Sequence, residues 1–159
     1  MTARTRTSRR HRSADLDDAL AFRIHRTNRL LRTHLARFLG ELDVGLSPEQ
    51  WFVLARIAAL QPVRQVSLAE PVLGDPPNVT RLVDSLATRG LVERAADPND
   101  RRGWLVSLTR QGSAVTASIQ AATVDERSRV FAGFDDRELD ALAAALDRID
   151  ENVRTLLSG

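Results

Sequence analysis

Apolar residues recur at helical spacing near both ends of the chain. From residue 15 to 42 they lie three, four or seven positions apart, and after residue 135 spacings of three and four alternate. Such spacing puts them on one face of a helix, and the second pattern is a heptad seam. The two stripes are Leu16, Leu20, Ile24, Leu31, Leu35, Phe38 and Leu42, then Leu139, Leu142, Leu146, Ile149, Val153 and Leu156. We therefore expect two long helices whose apolar faces need a partner, most simply a second copy of the chain.

A shorter helix is predicted after the first one by its start signal. Ser47 is followed by proline and then by Gln50 at the third helical position, which is a capping box. The helix is expected to run to about Leu60. Residues 66–73 predict another short helix, although Pro71 would fall in its second turn, where proline is unfavourable.

The helix expected over residues 75–89 has two faces of different chemistry. Its apolar residues follow the i, i+3, i+4, i+7 pattern, and the opposite face is polar. In helix-turn-helix proteins the first residues of the second helix contact base edges. Asparagine can form two hydrogen bonds with adenine, arginine can form two with guanine, and an apolar ring can contact the methyl group of thymine. The candidate DNA contacts are Pro77, Asn78, Thr80 and Arg81. The alternative is the solvated face of an ordinary amphipathic helix.

Two short apolar runs and a polar turn follow this helix. Residues 91–94 and 104–108 predict strands, and residues 97–103 between them predict a turn-rich tip. At this tip Arg101 and Arg102 can enter a minor groove of DNA, with Asp100 fixing the Arg102 side chain by a bidentate pair. A solvated charge cluster is the alternative interpretation of the tip.

The order of these elements predicts a winged helix-turn-helix: a mainly α fold with a small β-hairpin wing. We expect residues 1–13 to form a disordered basic arm. Residues 14–45 are expected to form a first dimerisation helix, residues 46–109 the DNA-binding lobe, and residues 110–159 the C-terminal dimerisation helices.

Composition excludes several classes of chemistry. The chain has no cysteine, so it has no disulfide, thiolate metal site or cysteine nucleophile. It has no glycine-rich phosphate loop and no apolar run long enough to span a membrane. We therefore expect a cytoplasmic protein that is not an enzyme and has no cofactor and no metal.

Charge is distributed unevenly along the chain. All 23 basic residues are arginines, and the net charge is only +2. Residues 1–40 carry ten arginines and three acids, residues 121–159 carry five arginines and nine acids, and residues 65–110 carry six of each. Because the expected DNA-binding lobe is neutral, binding must depend on where its arginines point and on the basic first helix and arm.

Phe22, His25 and Trp51 are candidates for lining an effector pocket near the junction of the first two helices. Ordinary core packing is the alternative for these three side chains.

Four segments, taken together and in order, resemble the MarR family of transcriptional regulators. They are residues 78–84, 89–94, 97–102 and 108–112. The family's wing signature, Asp-x-Arg followed by Leu-Thr and a nearby glycine, is matched here by Asp100, Arg102, Leu108, Thr109 and Gly112. The resemblance implies a homodimer on double-stranded DNA with a pseudo-palindromic operator, a recognition helix in the major groove and the wing in the minor groove. It also implies a repressor, often released by a small aromatic anion.

One departure from the family leaves a second functional hypothesis open. Pro71 and the run Asp75-Pro76-Pro77 stand where the family usually has a polar stretch, so the operator sequence cannot be carried over. The main alternative is a dimeric ligand-binding module of the same fold that has lost sequence-specific DNA reading. An enzyme that binds an anionic substrate in a basic cleft is a third hypothesis.

Overall fold

The computed structural model describes residues 19–69 and 76–159, without the side chains of Arg101 and Arg102. The expected arm over residues 1–13 therefore lies outside the described residues. In chain order the described elements are α1 (Leu20–Glu41), α2 (Pro48–Leu60), β1 (Val63–Arg64), a 3₁₀ helix (Gln65–Leu68), α3 (Pro76–Thr88), β2 (Val92–Asp97), β3 (Asp100–Leu108), α4 (Arg110–Val130) and α5 (Asp136–Ser158). The predicted mainly α fold with a small β wing is confirmed.

The chain divides into two compact units, residues 1–117 and residues 118–159. The first unit contains α1 to α3, the sheet and the first two turns of α4. The second contains the rest of α4 and α5, which begins with a capping box between Asp135 and Glu138.

The start of α2 also fixes the position of α3. Ser47 Oγ accepts a hydrogen bond from the Gln50 backbone N–H at 3.2 Å, and Gln50 Oε1 accepts one from the Ser47 N–H at 2.9 Å. The predicted capping box is therefore confirmed. Gln50 Nε2 also donates to Ser85 Oγ on α3 at 2.8 Å, so one side chain both caps α2 and ties α3 to it.

The core of the first unit includes one face of α3. Val79, Val83 and Leu86 on this face are at most 1% exposed. The helix α3 packs against α2, and α2 packs against β3. Other completely buried side chains of the unit are Leu39, Val53, Leu54, Ile57, Leu68 and Val106. Because the apolar stripe of α3 faces this core, its polar face points to solvent.

The sheet has three antiparallel strands in the order β1–β3–β2. The two-residue strand β1, which the sequence did not predict, pairs Val63 with Val106 and Arg64 with Leu105. The short helix expected over residues 66–73 is a 3₁₀ helix over Gln65–Leu68, and residues 70–75 lie outside the described part.

The wing turn is tighter than predicted. Only Pro98 and Asn99 separate β2 from β3, so residues 100–103, expected in the turn, begin β3 instead. Two antiparallel strands can extend beyond the core with polar residues on both faces. Neither face is buried there, so apolar and polar residues need not alternate. The apolar runs alone therefore underestimated the length of both strands.

Asp97 anchors the wing turn. Its side chain is 2% exposed, and its Oδ1 accepts a hydrogen bond from the Asn99 backbone N–H at 2.9 Å. Its Oδ2 accepts one from Arg64 Nε at 2.6 Å. The Asn99 N–H bond is the main cause that lowers the pKa of Asp97 from its ordinary value; the Arg64 guanidinium adds to it, and burial opposes both.

The start of α4 is locked to the end of α3. Thr109 Oγ1 donates to the Gly90 carbonyl oxygen at 2.5 Å and accepts from the Gly112 N–H at 3.0 Å. Gly112 lies so close to Leu91 that a β-carbon would overlap the Leu91 carbonyl oxygen. The Leu-Thr-x-x-Gly motif thus has a packing reason: the hydroxyl links two elements, and glycine permits their approach.

We predict that Gly112→Ala destabilises the protein, because the added methyl collides with rigid backbone. The expected loss in the free energy of unfolding is about 1–3 kcal/mol, measured by urea denaturation. Gly40→Ala in α1 is the matched control, since nothing lies within 4 Å of its β-carbon position. Alanine there is expected to keep or raise stability by up to about 1 kcal/mol. Equal unfolding midpoints for both variants would contradict the proposed close approach.

We also predict that Asp97→Asn makes stability less sensitive to acid. A carboxyl with a lowered folded pKa contributes stability above its unfolded pKa and loses it as the pH falls through the folded value. Wild type should therefore lose more stability than the variant as the pH falls from about 5 to below 3 in urea titrations. Asp147→Asn, an exposed position on α5, should behave like wild type. Identical acid profiles for wild type and Asp97→Asn would count against this contribution.

Candidate nucleic-acid interface

The predicted helix contacts lie on the first two turns of α3. Pro77, Thr80 and Arg81 are exposed, and Asn78 is half-buried. Pro76 and Pro77 occupy the first two helical positions, where a backbone N–H has no partner within the helix. The proline run is therefore compatible with a regular helix start and leaves the next turn to present its polar side chains.

Hydrogen bonds orient the polar side chains of this surface. Arg81 Nη2 donates to Asn78 Oδ1 at 3.3 Å, which uses one of the five guanidinium N–H donors. Thr80 Oγ1 donates to the Pro76 carbonyl oxygen at 3.1 Å and accepts from Gln65 Nε2 at 3.1 Å. The Thr80 hydroxyl is thus held in place, whereas Arg81 retains donors for a base edge or phosphate.

An acid on the outer face of α3 is paired within the protein. Asp84 Oδ1 accepts from Arg94 Nη1, on β2, at 2.6 Å. Arg94 Nε also donates to Gln65 Oε1 at 2.8 Å. The Asp84 side chain is 55% exposed, so without this cation it would present a bare carboxylate to an approaching phosphate.

The wing places Asp100 beside an arginine that the sequence did not single out. Asp100 Oδ2 lies 4.0 Å from Arg64 Nη2, and Arg64 also pairs with Asp97. Arg101 and Arg102 follow Asp100 in β3, but their side chains lie outside the described part, so the Asp100–Arg102 pair stays a prediction. Trp104, farther along the same strand, is 50% exposed.

Several residues that shape this surface have no local sequence signal. Besides Arg64, Gln65 and Arg94, one is Arg89, whose guanidinium donates to the carbonyl oxygens of Val44 and Gly45, each at 2.7 Å. These bonds hold the loop between α1 and α2 against the end of α3. Their partners are distant in sequence, so only the folded chain reveals them.

The candidate effector-pocket residues occupy different environments. Phe22 is half-buried and His25 is exposed in the first turns of α1, whereas Trp51 is 8% exposed in α2. Trp51 is therefore part of the core. Whether the three side chains bind an effector stays a prediction.

Residues 19–69 and 76–159 lack the features of two other kinds of site. No cluster of three histidine or acidic side chains in these residues could hold a metal ion. None of the helices described there is both long enough and apolar enough to cross a membrane.

The central part of the chain matches a known family model. The model described as "MarR family" covers residues 46–103, which run from α2 into the wing. A probable transcriptional regulator from Pseudomonas aeruginosa has a similar solved structure. It is 31% identical, with 85% of this chain and 99% of that chain covered and a TM-score of 0.75.

Two further solved structures are similar and contain bound partners. CouR from Rhodococcus jostii RHA1, bound to p-coumaroyl-CoA, is 28% identical over 86% of this chain and 95% of that chain, with a TM-score of 0.77. A mutant MarR from E. coli complexed with operator DNA is 27% identical over 84% of this chain and 96% of that chain, with a TM-score of 0.73. These similarities agree with the family match and with the winged helix-turn-helix described above. They identify the fold and the class of protein, a transcriptional regulator. The chain belongs to the MarR family of transcriptional regulators.

Proposed function

We propose that this chain is a dimeric, sequence-specific DNA-binding repressor. The outward face of α3 carries the proposal, because Pro77 and Arg81 are exposed there beside Asn78 while the other face is buried. The likeness to a MarR structure complexed with operator DNA supports it. No catalytic activity is part of the proposal.

In this proposal α3 enters the major groove and the wing follows the adjacent minor groove. Asn78, Thr80 and Arg81 approach base edges, and Arg101 and Arg102 approach the minor groove. Each ion pair within the lobe takes one arginine as well as one acid, so the net charge is unchanged and the attraction for DNA depends on where the remaining arginines point. Two such pairs are Asp84–Arg94 and Asp97–Arg64.

Homodimerisation is proposed from two apolar surfaces exposed in the described chain. The helix α5 buries none of its side chains. Its exposed apolar residues include Leu142, Leu146, Ile149, Val153, Leu156 and Leu157, and α1 exposes Leu20, Leu30 and Leu31. Burial against a second copy would remove these surfaces from water.

Charge complementarity supports contact between α1 of one copy and α5 of the other. The helix α1 has five arginines and one glutamate, whereas α5 has six acids and three arginines. A two-fold dimer would present two recognition helices to half-sites whose centres are about one helical turn apart. The operator is therefore proposed to be pseudo-palindromic.

A small effector that releases the DNA is the remaining part of the proposal. It is supported by the likeness to CouR bound to p-coumaroyl-CoA, an aromatic acyl thioester with an anionic carrier. The candidate ligand-contacting residues are Phe22, His25 and Trp51. Screening aromatic acids and their CoA thioesters against the protein–DNA complex tests this part.

DNA binding is tested by fluorescence anisotropy with the DNA flanking the gene, beside a scrambled sequence, at two salt concentrations. We expect selective binding whose affinity falls linearly with salt on a log–log plot. Arg102→Ala should weaken operator binding by about 1–3 kcal/mol without changing the dimer. Arg129→Ala, which removes an exposed arginine on α4, is the charge-matched control. Two results together would favour the ligand-binding module instead. They are equal affinity for the flanking and the scrambled DNA, and a genomic selection that yields no sequence bound more tightly than random DNA.

Dimerisation is tested at the centre of the α5 stripe. Leu146→Asp places a charge on the proposed apolar seam, so the dimer should dissociate or unfold. Sedimentation equilibrium and thermal unfolding measure the two outcomes. Ala144→Asp adds the same charge at an exposed position away from the stripe and should leave the dimer intact. A dimer of unchanged affinity and melting temperature in Leu146→Asp would exclude α5 as the interface.

A further inference from the structure

Two adjacent residues connect the recognition helix to the wing. Arg64 ends β1 and Gln65 begins the 3₁₀ helix, so their backbones belong to one short segment. The backbone of this segment is fixed to the middle of β3 by the pairing of Arg64 with Leu105. From this anchored position, the two side chains reach different DNA-facing elements.

The Arg64 side chain reaches the wing. Its Nε donates to the buried carboxylate of Asp97 at 2.6 Å, and its Nη2 lies 4.0 Å from Asp100 Oδ2. These two acids stand on either side of the wing turn, one at the end of β2 and one at the start of β3. A planar guanidinium with several donors can hold both, and thereby fixes the turn relative to β1.

The Gln65 side chain reaches the recognition helix by two routes. Its Nε2 donates directly to Thr80 Oγ1 at 3.1 Å. Its Oε1 accepts from Arg94 Nε at 2.8 Å, and Arg94 in turn binds Asp84 at 2.6 Å. The amide thus contacts both a residue on the second turn of α3 and the arginine that holds the next turn.

We infer that Arg64 and Gln65 are positioning residues that set the placement of the wing relative to the recognition helix. The inference rests on the proposed DNA-binding function, because that placement decides which operator geometry satisfies both elements at once. Neither residue needs to contact DNA in this role. Each acts through a residue on a DNA-facing element: Arg64 through Asp97 and Asp100, and Gln65 through Thr80 and Arg94.

The test compares Arg64→Gln and Gln65→Leu with Arg129→Gln. Arg129 forms an exposed ion pair with Glu126 at 3.4 Å on α4, so the control removes one arginine and one ion pair outside the lobe. Arg64→Gln removes the cation that pairs with the buried Asp97 carboxylate. A companion variant therefore combines Arg64→Gln with Asp97→Asn. The companion removes both charges, and asparagine keeps the size of aspartate.

Two measurements are made on each folded variant. Amide hydrogen exchange over residues 96–104, without DNA, reports the local opening of the wing. Anisotropy titrations report affinity for the operator and for random DNA, each at two salt concentrations. Urea unfolding identifies variants that have lost global stability.

We expect wing exchange about fivefold faster or more in both Arg64 variants, with exchange in α2 unchanged. Operator affinity should fall about tenfold in Arg64→Gln and in Gln65→Leu, which is the size of one misplaced base contact. Random-DNA affinity and the salt slope should change no more than in Arg129→Gln. The operator-to-random ratio is the decisive quantity, because loss of a phosphate contact weakens both DNAs alike.

Three results would overturn the inference. They are unchanged wing exchange in the Arg64 variants, an unchanged operator-to-random ratio, or an equal loss of affinity for both DNAs together with a shallower salt slope. The last result would make Arg64 a direct phosphate contact. If wild type itself fails to select any DNA, the proposed function fails, and the exchange measurement still decides whether Arg64 holds the wing.

Discussion

The buried stripe of α3 is the constraint on which the rest of the surface depends. Val79, Val83 and Leu86 fix the rotation of the helix about its own axis, because exposing them would cost the burial that stabilises the lobe. Once that rotation is fixed, Pro77 and Arg81 lie on the face of the helix that is exposed to solvent. The geometry of the proposed DNA-reading surface thus follows from the packing of the opposite, buried face of the helix.

Polar contacts add the precision that apolar packing lacks. Gln50 caps α2 and donates a hydrogen bond to Ser85. Arg89 donates to a carbonyl oxygen of the loop between α1 and α2, and Arg94 forms an ion pair with Asp84. An apolar core tolerates small sliding motions, whereas a hydrogen bond fixes both distance and angle. One of these contacts, Arg94 with Asp84, also pairs an exposed acid on the outer face of α3 with a cation.

Local signals were sufficient for α2 and α3 and insufficient for the contacts between elements. The capping box at Ser47 and the helical period of α3 are written within a few residues, and both are borne out by the structure. The strand β1 has two residues and no alternation, so only its pairing with β3 defines it. Asp100 was assigned to the turn because its polarity resembles a loop, although an exposed hairpin accepts polar residues in its ladder. The roles of Arg64 and Gln65 depend on partners that proximity in sequence does not indicate.

The exposure of Trp104 gives this protein a built-in optical label. The chain contains two tryptophans and no tyrosine, so its ultraviolet emission comes from Trp51 in the core and Trp104 on the wing. A buried indole emits at shorter wavelength and is shielded from ionic quenchers, whereas a half-exposed indole emits farther to the red and is readily quenched by iodide. Events at the wing therefore register at the red edge of the spectrum, and loosening of the core registers at the blue edge, without any chemical modification of the protein.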